Sequence, residues 1–416
     1  MPATANHAPP QKYLDALYFD LPKGHDPLHG ASKPPLELTY SFDPSAIASL
    51  NVGYDNWTPF SSAEEDAVRS ALAEYATFLN VSFVEHATGG DVDLSLGRTN
   101  IAPDGLGGIH WSSGPGFFDL DGYAIFDTGA SLEDAYGRHL ILREVGHAMT
   151  LKHPGGSGGG DGPFLPARLE NNKYSVMSHT PNPDDGGLAN HLMLYDIAAL
   201  QARFGANLHY RTGNDVYTGP DGRLQVIWDA GGTDSIDGSA YGSALTIDLR
   251  DGRFSSLGQQ DNLAIAFGAV IEGAAGGSGN DKLTGNRWSN ALTGGAGDDR
   301  LDGGKGADTL TGGLGADAFV FLKAKGGGDA ITDFDPSADR ILLGKDGFAG
   351  IGGKGALGDH KFHVGDGAHD RSDRIVYDDT HGLLIYDKNG SRPGQEKVFA
   401  AIDAGLDLDQ GMFIVV

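Results

Sequence analysis

The spacing of apolar positions changes about halfway along this chain. In the first half, Leu36-Glu37-Leu38-Thr39-Tyr40-Ser41-Phe42 alternates apolar and polar residues, the period-two signature of a strand. Val81-Ser82-Phe83-Val84-Glu85 and Val92-Asp93-Leu94-Ser95-Leu96 read as further strands. Ser61-Ser62-Ala63-Glu64 supplies an N-cap with acids in the first turn and opens a helix to about Leu79. A second helix is predicted over about 132–150, and a third from Tyr195, stopped by Gly205. Strands alternating with helices predict an α/β layer over 36–207, preceded by a Pro-rich polar extension or displaced pro-segment at 1–35.

From 208 to 416 the pattern is different. From Gly276 a nine-residue period runs through GGSGNDKLT, GNRWSNALT, GGAGDDRLD, GGKGADTLT and GGLGADAFV. The eighth place is always apolar: Leu283, Leu292, Leu301, Leu310 and Phe319. The sixth is Asp281, Asp299, Asp308 and Asp317, with Asn290 in the second unit, where cation binding is expected to be weaker. A Gly-rich linker would not hold both phases over five units. The small residues let carbonyl oxygens converge in the turns, the acid completes a cation site, and the apolar residue fills a thin core. The units resemble the calcium-binding repeat of RTX proteins, which winds a parallel β-roll.

Composition narrows the classes of partner. The 416 residues carry 56 acids against 30 bases, a net charge of −26, which argues against nucleic acid or an anionic membrane surface. Clustered carboxylates favour hard cations, calcium above all. Gly, at 65 residues, is abundant enough to imply turns or repeats, and Cys is absent, which excludes disulfides and thiolate metal sites. No apolar stretch approaches a membrane span, and the N-terminus lacks the pattern of a signal peptide.

The candidate chemistry lies in Leu142-Arg143-Glu144-Val145-Gly146-His147-Ala148-Met149-Thr150-Leu151-Lys152-His153, followed by Tyr174-Ser175-Val176-Met177-Ser178-His179. Together these resemble the active site of the serralysins, metzincin endopeptidases that bind zinc through H-E-x-x-H-x-x-G-x-x-H. Tyr136-Gly137-Arg138 and the L-T-Y-S-F strand add to the likeness. The resemblance implies an α/β metzincin-type catalytic domain followed by an all-β parallel β-roll. It implies Glu144 as general base, His147 and His153 as zinc ligands, and Met177 beneath the site. It also implies calcium ligands at Arg211, Gly213, Asp215, Asp229, Gly231, Asp234 and Glu272, and in the repeats at Gly277, Gly279, Asp281, Gly295, Gly297, Asp299, Gly304, Gly306, Asp308, Gly313, Gly315 and Asp317. The D-x-I-x-D-F run from Asp329, the segments around Tyr377 and Tyr386, and the apolar end Met412-Phe413-Ile414-Val415-Val416 resemble the closing region and uncleaved export signal of type I secretion substrates. That likeness implies a secreted, extracellular protein.

Three positions depart from the family pattern. Arg143 stands where the first zinc His belongs and has no lone pair for a metal. Thr150 replaces the Gly of the turn, so a reshaped turn is expected, because a β-branched residue in a left-handed conformation is strained. His179 replaces a Tyr and could rebuild a three-imidazole zinc site with His147 and His153. Alternatively Arg143 fills the site through a salt bridge with Glu144 or another acid. Three functions remain open at this point: a zinc endopeptidase with an altered site, a pseudoprotease that binds a peptide or protein partner, and an extracellular calcium-dependent scaffold. His25, His29, His110 beside Trp111, and the scattered His residues of 208–416 are read as surface or satisfied groups. Asp184, Asp185 and the Gly-rich run 155–160 are read as a loop beside the cleft.

Overall fold

The computed structural model describes residues 9–18, 33–49, 56–88, 91–101, 122–156, 162–220, 224–324, 328–392 and 394–416. His25, His29, His110, Trp111 and positions 157–160 lie outside them.

The first half is a four-stranded parallel sheet of β1 (Leu36–Ser41), β2 (Val81–Glu85), β3 (Leu94–Thr99) and β4 (Gly122–Asp127), in the order β2-β1-β3-β4. Among the described residues five helices accompany it: α1 (Gln11–Asp15), α2 (Ser45–Ser49), α3 (Ser62–Phe78), α4 (Ala135–Ala148) and α5 (Leu194–Phe204). Parallel neighbours need crossover connections, and α3 supplies the one from β1 to β2. Its start is fixed by a reciprocal capping box. Ser61 Oγ accepts from Glu64 N at 3.2 Å, and Glu64 Oε2 accepts from Ser61 N at 2.8 Å. Every residue of β3 and β4 is buried, as expected for strands covered on both faces.

The described part of the stretch read as an N-terminal extension or displaced pro-segment, 1–35, packs on the α/β half. Leu14 and Leu17 are buried, Tyr13 packs edge-on against Tyr195, and Lys152 N donates to Leu17 O at 2.8 Å. Three apolar side chains at Leu14, Ala16 and Leu17 are enough to dock the segment, despite its polar, Pro-rich surroundings.

The second half coils between two sheets. One sheet stacks Val216–Tyr217, Ser235–Asp237, Gly273–Ala275, Ala291–Ala296, Thr309–Leu314 and Asp329–Ile331. The other stacks Thr246–Asp248, Lys282–Thr284, Arg300–Asp302, Ala318–Phe321 and Arg340–Leu343. All these pairings are parallel, with Leu283 opposite Leu301 and Leu292 opposite Leu310. Successive nonapeptides therefore alternate between sheets, and two complete one turn of the coil. The five eighth-place residues are at most 1% exposed. The C-terminal strand Phe413–Val415 lies between Arg340–Leu343 and Gly355–Ala356, with Phe413 and Val415 buried.

One contiguous apolar cluster runs from Leu14 to Val415 through both halves. Where they meet, Tyr174 packs edge-on against Phe254 with ring centroids 5.4 Å apart, and Trp228 Nε1 donates to Asn207 O at 2.8 Å. Lys173 Nζ bonds both Asp184 and Asp261 at 2.5 Å. Asp184 is thus part of an ion-paired clasp between the halves rather than of a free loop.

Candidate active site and cation ladder

α4 carries the first site residues. Asp134 caps it by accepting from Gly137 N at 2.8 Å. Arg143 and His147, one turn apart, share a face, and Glu144 is 3% exposed. Gly146 turns toward Met177, whose Sδ would lie 2.8 Å from any Cβ placed there, so the Met177 turn can press against the helix. α4 then ends through Thr150, at φ +78°, with its N–H donating to His147 O at 2.8 Å. Thr150 is in the left-handed region despite its branched side chain, and its buried Oγ1 has no hydrogen-bond partner. The chain reverses there, which brings His153 back toward the helix.

The structure gathers all three candidate imidazoles. The ring centroids of His147 and His153 are 4.5 Å apart, and those of His153 and His179 are 4.3 Å apart. His147 Nδ1 lies 2.8 Å from Leu151 O, and His153 Nδ1 lies 3.0 Å from Met177 O. Arg143 points inward among them. Its Nη2 lies 2.8 Å from His179 Nε2 and 3.0 Å from His153 Nδ1, and its Nη1 donates to Met177 O at 3.0 Å. The Glu144 carboxylate is 3.9 Å from Arg143 Nε, so the anticipated ion pair is long, and the imidazoles and turn carbonyls are the closer partners.

Burial lowers the pKa of His179, and the Arg143 charge lowers it further. Burial also pushes His139 down to about 4, against the hydrogen bond to Ala189 O and with help from Arg143. Both effects keep the neighbourhood of the guanidinium free of further positive charge. Among the described residues, the only acidic or imidazole set whose ligand atoms lie within 4.8 Å of one another is Asp215, Asp229 and Asp234. His147, His153 and His179 do not meet that spacing, with or without Glu144. Together with a guanidinium hydrogen-bonded to His179 and lying against His153, this donor set as placed does not fit a zinc ion.

Several supporting residues were not singled out from the sequence. Asp196, fully buried, accepts from Ser175 Oγ at 2.6 Å, Val176 N at 2.7 Å and Met193 N at 3.0 Å, anchoring the Met177 turn to α5. Burial raises its pKa to about 7. Glu170 accepts from Ser178 Oγ at 2.8 Å, and Asn172 Nδ2 donates to Ser178 O at 2.8 Å. The one available signal was an acid three residues past Met193 at a helix start, a capping position.

The cation candidates in the second half form ladders. Asp281 N donates to Asp299 Oδ1 at 2.7 Å, Asp299 N to Asp317 Oδ1 at 2.8 Å, and Asp317 N to Asp339 Oδ1 at 2.8 Å. On the other side Asn290 N donates to Asp308 Oδ1 at 2.9 Å, and Asp308 N to Asp329 Oδ1 at 3.1 Å. Asp339 and Asp329 thus extend the series beyond the four acids read from the repeat. At Gly294 a Cβ would lie 2.3 Å from Asp299 Oδ2, so a side chain there would collide with the carboxylate. The carbonyl of Gly277 lies beneath Gly295 and that of Gly279 beneath Gly297, as Gly295 lies beneath Gly313 and Gly297 beneath Gly315. On the other side Asn286 and Trp288 carbonyls face Gly304 and Gly306.

Burial raises Asp299 to about 7, aided by Asp281 and Asp317, and raises Asp317 and Asp339 as well. The buried Oδ2 atoms of Asp234 and Asp299 have no hydrogen-bond partner. Asp234 is raised to about 6 and Asp229 is also raised, each mainly by burial. Glu272 joins the Asp215 group to the repeats through Asp234 N, 2.9 Å from its Oε2. Arg211, at φ +47°, stacks its guanidinium on Tyr217 and holds it 3.8 Å from Asp215 Oδ1. Buried carboxylates stacked beside turn carbonyls fit calcium.

Known proteins place the chain. A family model described as peptidase M10 serralysin C terminal matches residues 204–346. Metallopeptidase AprA of Pseudomonas marginalis is 35% identical over 349 residues, spanning 74% of this chain and 73% of that protein. Serralysin G of Dickeya chrysanthemi is 37% identical over 341 residues, 74% of this chain and 72% of that one. Metalloprotease AprA of Pseudomonas entomophila (strain L48) is 35% identical over 349 residues, 74% and 72%. Similarity of this extent, over the α/β half as well as the coil, means that the chain belongs to the serralysin family of metallopeptidases.

Proposed function

We propose that this chain is a secreted, calcium-loaded serralysin relative that has lost peptidase activity and keeps its cleft to bind an extracellular protein or peptide. In this reading 36–207 is a metzincin-type domain, 208–416 is an RTX β-roll that folds on calcium, and the C-terminal region is its address to a type I secretion system. The observation that carries the loss of activity is Arg143 Nη2, 2.8 Å from His179 Nε2. A zinc peptidase needs ligand lone pairs directed at the metal and an open place for water. Here a nitrogen of His179 and one of His153 face a fixed cation instead. What supports binding is a firmly packed site: Gly146 of α4 lies against Met177, and Asp196 anchors the Met177 turn.

The test is full-length protein saturated with calcium and offered zinc, casein and a quenched peptide library. Expected is peptide binding with turnover no higher than that of Glu144→Ala. Turnover that Glu144→Ala abolishes would restore the enzyme reading.

A further inference from the structure

The poor fit to zinc has a structural counterpart. Three segments meet at the site: α4 with Arg143 and His147, the chain after the Thr150 turn with His153, and the turn of Met177, Ser178 and His179. A metal ion bound by side chains from all three would cross-link them. We infer that the Arg143 guanidinium supplies that cross-link instead, as a permanent brace that makes the cleft independent of any metal.

The donor inventory supports this. A guanidinium has five N–H groups in a rigid planar fork. Nη1 faces Met177 O at 3.0 Å and Ser178 O at 3.4 Å. Nη2 faces His179 Nε2 at 2.8 Å and His153 at 3.0 Å (Nδ1) and 3.4 Å (Nε2). Nε is turned toward Glu144, 3.9 Å away. Each edge of the fork is directed at a protein group, so the guanidinium acts as a tie between segments and is not an open receptor for an anionic ligand. The acceptors are themselves fixed: Asn172 Nδ2 holds Ser178 O at 2.8 Å, and Asp196 holds Val176 N at 2.7 Å. The side chain is only 12% exposed, and its fixed partners replace the water it has lost. Lysine, a point charge on a flexible stem, could not span the same partners.

The brace is tested apart from peptide binding or turnover, by thermal unfolding of the full-length calcium-loaded protein with added zinc or with 1,10-phenanthroline. The wild type should bind no stoichiometric zinc by calorimetry, and neither reagent should move its first transition. Arg143→Met should lower that transition by about 5 °C or more, and Arg143→Lys should recover less than half of the loss. Arg143→His should melt low without zinc and regain the loss when zinc is added. A wild-type transition that rises with zinc or falls with phenanthroline overturns the inference, as does Arg143→Met melting with the wild type or Arg143→His indifferent to zinc. If Arg143→Met does not fold, the zinc calorimetry of the wild type still decides. Casein turnover by zinc-free wild type would remove the preceding proposal and leave this one standing.

Discussion

Arg143 Nη2 and His179 Nε2 are 2.8 Å apart, and that single contact joins two departures from the family pattern. A tyrosine hydroxyl could accept the same bond. An imidazole accepts it only while neutral, and burial together with the guanidinium charge lowers the His179 pKa accordingly. Arg143 and His179 therefore act as a pair. A double-mutant cycle on stability, with Arg143→Met and His179→Phe, should give a coupling of about 1–3 kcal/mol. Additive effects would mean that the contact contributes nothing.

Thr150 stores strain. Its φ of +78° is costly for a branched residue, and its hydroxyl is buried without a partner. Thr150→Gly should stabilise the chain by about 1–3 kcal/mol by chemical denaturation, less the small entropic cost of glycine in the unfolded chain. A destabilised variant would show that the conformation is not strained.

His139 sets a pH dependence. Its folded pKa of about 4 lies below the ordinary value of 6.5, so the neutral ring is the folded form. Below about pH 6.5 the unfolded chain binds a proton that the folded chain refuses, and stability falls as pH drops toward 4. The loss at the acid end is on the order of 3 kcal/mol. His139→Gln, which can still donate to Ala189 O, should flatten that part of the profile. An unchanged slope would assign it to other groups.

The carboxylate ladder predicts the response to calcium. Chelation should unfold the coil at 208–416 before the parallel sheet, seen as loss of the β signal in far-ultraviolet circular dichroism ahead of the helical one. Asp299→Asn keeps an acceptor for Asp281 N yet removes a charge, and should raise the calcium midpoint by about tenfold or more. Asn290→Asp, which adds charge to the weakest rung, should lower it. Circular dichroism unaffected by strong chelators would defeat the ladder.

Much of this architecture was readable from spacing. The nine-residue period set the coil because the Asp and Leu phases serve two needs at once, a cation site and a core. The capping box at Ser61 and Glu64 marked α3 to within a residue. Docking of Leu14 and Leu17 was not legible, since a few apolar residues in polar company carry no period. Nor was Thr150. Intrinsic preference argues against a left-handed threonine, and only the tertiary demand to return His153 to the helix overrides it. Asp196 escaped for a similar reason: its partners Ser175 and Val176 lie some twenty residues away and meet it only in the fold. The inward direction of Arg143 was open among several readings, because helix phase fixes the face of a residue and leaves the reach of its side chain to the packing.

The central claim is that a guanidinium stands where a zinc ion would be bound. It is tested most directly by anomalous diffraction above the zinc edge, on crystals of the full-length chain grown with calcium and excess zinc. The account predicts no peak among His147, His153 and His179, with Arg143 density continuous to His179. A full-occupancy peak there, with Arg143 displaced, would contradict it.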